Sequence, residues 1–105
     1  MSNVNPFRYQ HEKMGAAISA LMLPDAPFER RLLHAMNEFT LAFHHGVPSG
    51  SALTYYLKIK EVMGDGPYEQ RARALNETQQ HQIVTAFWEL DRAVSRDYHT
   101  YELHQ

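Results

Sequence analysis

The sequence predicts an all-α protein: a helical bundle of four main helices plus one short helix, with a long C-terminal helix. Three observations carry this. Apolar residues recur at intervals of three and four along nearly the whole chain, and no stretch alternates as a half-buried strand would. The prolines, and every glycine but Gly15, fall at the ends of these periodic runs and cut them into helix-sized lengths. The last run, from Asn76 onward, contains neither. With 105 residues, 44% hydrophobic and 21% charged, residues 1–105 read as a single helical domain, too short for two independent cores.

Each element follows from local chemistry. Asn5–Pro6 opens the first helix, asparagine as N-cap and proline at the first helical position. Phe7, His11, Met14, Ile18 and Leu21 form its stripe, and Leu23–Pro24 stops it. Asp25 is placed to cap the second helix, whose stripe is Phe28, Leu32, Ala35, Met36, Phe39, Ala42 and Phe43. Gly46–Val47–Pro48 ends it. Ser49–Gly50–Ser51 supplies the next cap, before Ala52, Leu53, Tyr56, Leu57, Ile59 and Met63. "GDGP" (Gly64 to Pro67) is a stop, a turn and a restart, and a short helix covers Tyr68–Leu75. Asn76 with Gln79 is a capping-box signal. It opens a helix from Glu77 to about Leu103, with Ile83, Phe87, Leu90, Val94, Tyr98 and Tyr101 facing inward.

Composition narrows the functions. Ten Lys+Arg against twelve Asp+Glu give a formal charge of −2, whereas dedicated nucleic-acid and anionic-membrane binders are usually basic. The absence of cysteine excludes disulfides, thiol catalysis and thiolate metal sites. Met14–Leu23 is the one stretch with the look of a targeting segment, and it falls short of the ~20 apolar residues of a bilayer span. The expectation is a cytoplasmic protein with no membrane association.

The richest chemistry is "HAMNEFTLAFHH", His34 to His45. On a helix, His34, Glu38, Leu41 and His45 share one stripe at the rim of the core. His34 and His45 are ~16 Å apart along the axis, too far for one ion, since each ligand must come within ~2.0–2.2 Å of it. His34 and Glu38 could meet a second pair, Glu77 and His81, only if the fold brings the two together. Glu-x-x-His pairs, which diiron bundles use, are missing. An amphipathic helix with polar flanks explains the stretch, and no metal or cofactor is expected. "HHGVPSGS" holds histidines and serines but no Gly-x-Ser-x-Gly elbow, so capping explains its serines better than hydrolysis.

Lys58, Lys60, Arg71 and Arg73 bracket the "GDGP" turn and form a possible nucleic-acid contact, although Glu61, Asp65 and Glu69 lie among them. The aromatic residues say more. Val84 and Trp88 lie ~100–140° around the last helix from Ile83, off its core face. That helix is ~40 Å long against a domain width nearer ~33 Å, so Tyr98, Tyr101 and Leu103 should overhang the bundle. Val84, Trp88, Tyr98, Tyr101 and Leu103 are therefore the expected partner-binding residues. The sequence points to a small non-catalytic protein-interaction module, an adaptor, modulator or inhibitor that is homodimeric. A nucleic-acid-binding regulator using Lys58–Arg73 is the alternative, and a metal-dependent helical-bundle enzyme the third reading.

Overall fold

Proline and glycine separate the first four helices, while the capping chemistry departs from expectation at several starts. The computed structural model describes residues 4–104, which form five helices and, among those residues, no strand. They are α1 (Arg8–Leu21), α2 (Phe28–Ala42), α3 (Ser51–Met63), α4 (Tyr68–Ala74) and α5 (Glu77–Leu103).

Asn5 is not the N-cap of α1 and Pro6 is not its first residue: Phe7 takes the N-cap with no side-chain bond, and the Asn5 Oδ1 accepts from the Phe7 N–H at 2.9 Å in the turn before the helix. The regular helix begins only at Arg8, whose N–H bonds the Asn5 carbonyl at 3.1 Å. Asp25 caps nothing. Pro27 occupies the N-cap of α2 with no side-chain bond, and its carbonyl accepts from both Arg30 and Arg31 N–H at 3.1 Å. The joint is held instead by Arg31, which donates to the Leu21 carbonyl at 2.6 Å and to the Ala26 carbonyl at 3.0 Å. One guanidinium thus satisfies an orphan carbonyl at the end of α1 and fixes where α2 starts. Helix α2 ends at Ala42 and turns, so His44 and His45 leave the helix and His45 does not share the His34–Glu38 stripe.

No serine caps α3 either; Gly50, at φ +64°, stands at its N-cap. At the far end, Gly64 adopts φ +69° and a β-carbon there would press on the Arg71 guanidinium at 3.3 Å. Arg71 in turn donates to the Met63 carbonyl, folding α4 back onto the end of α3. Helix α4 stops at Ala74, one position before Leu75. The capping box of α5 is present in both directions, Gln79 N–H to Asn76 Oδ1 at 2.8 Å and Asn76 N–H to Gln79 Oε1 at 2.9 Å.

The helices close into a ring: α1 packs on α2 and α5, α3 on α5 and α4, and α4 on α2. Helix α5 is the spine, flanked by α3 along its first half and by α1 further on. Phe39 fills the centre, its ring 5.2 Å from Tyr56, 5.5 Å from Phe43 and 5.8 Å from Phe87, which it reaches across the core. Met14, Leu32, Met36, Ile59, Met63, Ile83, Leu90 and Val94 surround it, fully buried. Burying each such side chain contributes roughly 1.5–3 kcal/mol. Leu57, assigned inward by sequence, is exposed, because two positions from buried Ile59 means ~200° around a helix. Val62 is buried in its stead.

Candidate interaction surface

The expected partner-binding residues separate into three environments. Val84 is half-buried against the edge of the core. Tyr98 does not overhang: its ring stacks on His11 at 4.3 Å and its carbonyl accepts from the Asn5 side chain at 2.9 Å. The N-terminal segment covers this turn of α5, and nothing in the periodicity of either segment announces that pairing. Tyr101 is half-buried. Trp88 and Leu103 are the exposed members, at 40% and 82%. They lie within ~60° of each other around α5 and ~22 Å apart along it. Among the described residues no ring, cation or hydrogen bond engages the indole of Trp88. One turn earlier, Thr85 lines a mainly apolar groove of about 270 Å³ between α3 and α5, walled by Tyr55, Lys58 and Glu89 and floored by Ala86.

The cations around the "GDGP" turn are largely engaged within the chain. Arg73 pairs with Glu69 at 2.8 Å and Lys58 with Glu61 at 3.9 Å, while Arg71 holds the end of α3. Of the four, Lys60 alone makes neither an ion pair nor a side-chain hydrogen bond with a described residue, so they do not form one open basic face.

Glu38 turns toward α1, where its Oε2 lies 3.6 Å from Lys13 Nζ and is otherwise buried without a hydrogen bond. Glu77 and His81 do not join His34 and Glu38, since α2 and α5 face each other across the core and not side by side. Among the described residues no three His, Asp or Glu side chains converge as a metal shell would require. His44 and His45 pack edge to face at 5.0 Å, exposed in the turn after α2.

One cluster escaped the sequence reading. His11 Nδ1 lies 3.2 Å from Ser95 Oγ, its ring sits on Tyr98, and His99 approaches edge-on at 5.6 Å. Burial pushes the Asp91 carboxyl above its ordinary range, and the charge on His11 draws it back. Serine, histidine and aspartate thus meet on one seam, but not as a nucleophilic relay. Such a relay needs the carboxylate bonded to the second imidazole nitrogen and donors for an oxyanion. Asp91 makes no hydrogen bond to His11, and none of the clefts described here opens over Ser95. The spacing of Asp91, Ser95 and His99 by four residues signalled a shared face of α5; only the fold shows that His11 covers it.

Comparison with protein-family models, curated proteins and solved structures returns no match. The functional reading therefore rests on these residues. No helix among the described residues is long and apolar enough to cross a membrane.

Proposed function

We propose that this protein is a small non-catalytic interaction module, cytoplasmic and homodimeric, that makes its principal contact with another chain through the outer side of α5. The observation that carries the reading is Trp88, an indole exposed on the outer side of the longest helix with no partner of its own and a groove beside it. Tryptophan is enriched among residues that dominate binding energy.

Affinity purification of the wild type beside Trp88→Ala tests the reading. Protein that co-purifies in stoichiometric amount and is lost in the variant supports it. Nuclease-sensitive nucleic acid, or stoichiometric metal, would replace it with one of the other two readings.

A further inference from the structure

The cleft between α2 and α4 has a volume of about 270 Å³, close to the ~300 Å³ at which small-molecule sites begin. Its shape comes from the way α4 docks. Tyr68 OH meets Thr40 Oγ at 3.2 Å near the end of α2, and from there α4 runs back toward the start of α2. Glu69 and Arg73 then stand over Glu29, Arg30, Leu33 and His34. Leu33 follows Glu29 and Arg30 by one turn and lies between them around the helix.

The charges in this cleft divide into a closed pair and an open one. Arg73 and Glu69 neutralise each other at 2.8 Å. The side chains of Glu29 and Arg30 make no ion pair or hydrogen bond with any described residue, and as helix neighbours that diverge by ~100° they do not face each other. A simple anion entering here would face two glutamates, and a simple cation two arginines. A molecule carrying both signs would meet one free carboxylate and one free guanidinium, with Leu33 between.

The geometry points to a site for a zwitterionic small molecule, an apolar α-amino acid. Its carboxylate lies on Arg30, its ammonium on Glu29 and its side chain over Leu33. Guanidinium–carboxylate recognition is bidentate and directional, which fixes the orientation. The site is separate from the outer side of α5 and does not depend on the interaction reading.

Amide-resolved NMR titration of the full chain tests this with three probes: L-leucine, 4-methylpentanoate, which lacks the amine, and 3-methylbutylamine, which lacks the carboxylate. Leucine is expected to give saturable shifts confined to the first half of α2 and to α4. Charge-assisted hydrogen bonds carry the selectivity, so each single-charge analogue should bind at least ~10-fold more weakly, and Glu29→Gln and Arg30→Gln should each weaken leucine by a similar factor. Both side chains are exposed and unpaired, so the variants keep the fold. Absence of saturable shifts with leucine would overturn the proposal. So would equal binding of the acid or the amine, or indifference of leucine binding to either substitution.

Discussion

The side-chain amide of Asn5 donates to the backbone carbonyl of Tyr98 at 2.9 Å, joining positions 93 residues apart. The same side chain accepts from the Phe7 N–H, and Asn5 is the one polar residue buried among those described. Asn5 therefore both holds the turn that leads into α1 and locks it to the last third of α5. Asn5→Ala removes the turn bond and the cross-link together and should cost about 1–2 kcal/mol in urea unfolding. A change within ~0.3 kcal/mol would mean that both bonds are replaced by water without loss.

Asp91 gives a pH dependence of definite sign. Burial raises its folded pKa above the unfolded value, so the ionised form is penalised in the folded state at neutral pH. The penalty is full above the folded pKa and is relieved as pH falls through it, because the folded state takes up the proton first. Asp91→Asn should accordingly be more stable than the wild type at pH 7. That advantage should shrink on acidification through the carboxylate range. Urea midpoints at several pH values decide it; a constant difference would place the cause elsewhere than in titration of Asp91.

Arg71 and Arg73, two positions apart, should behave differently. Arg71 is half-buried and satisfies the last carbonyl of α3, so Arg71→Ala should cost about 1.5–3 kcal/mol. Arg73 makes an exposed pair with Glu69, and Arg73→Ala should cost less than ~1 kcal/mol. Thermal unfolding compares them. Any nucleic-acid binding by this region should be weak and fall steeply with salt. Tight, sequence-selective binding at physiological salt, abolished by Lys58→Ala/Lys60→Ala or Arg71→Ala/Arg73→Ala, would reinstate the regulator reading.

Protein purified without chelator should carry far less than one equivalent of zinc, iron or manganese per chain. The motive is the placement of His34 and Glu38 away from Glu77 and His81, with Glu38 turned to Lys13. Stoichiometric metal lost in both His34→Ala and Glu38→Ala would contradict it.

Element type and order were legible in the sequence because periodicity and breakers are local. The bounds Glu77–Leu103 and the Asn76–Gln79 box follow from residues within one turn of each other. What stayed hidden is non-local. Asp25 looks like a cap, yet Arg31 ties Leu21 and Ala26 together and Pro27 takes the N-cap. Tyr98 looked like overhang because a helix length says nothing of which segment folds back on it. His11 and Tyr98 each lay on a recognised stripe, but their stacking depends on how α1 sits along α5. Trp88 was readable as off-face from its angle alone, and it is exposed.

Light scattering across a dilution series, with circular dichroism on the same samples, tests the central claim about α5 most directly. Covering an indole and its surroundings supplies several kcal/mol at roughly 25 cal/mol per Å², before the entropy of association is charged. The wild type should show an apparent mass rising above that of one chain with concentration. Trp88→Ala should suppress that rise while leaving helicity intact, and His44→Ala or His45→Ala should change neither. If Trp88→Ala instead lowers helicity and leaves association untouched, Trp88 belongs to the core and the outer side of α5 is not the contact.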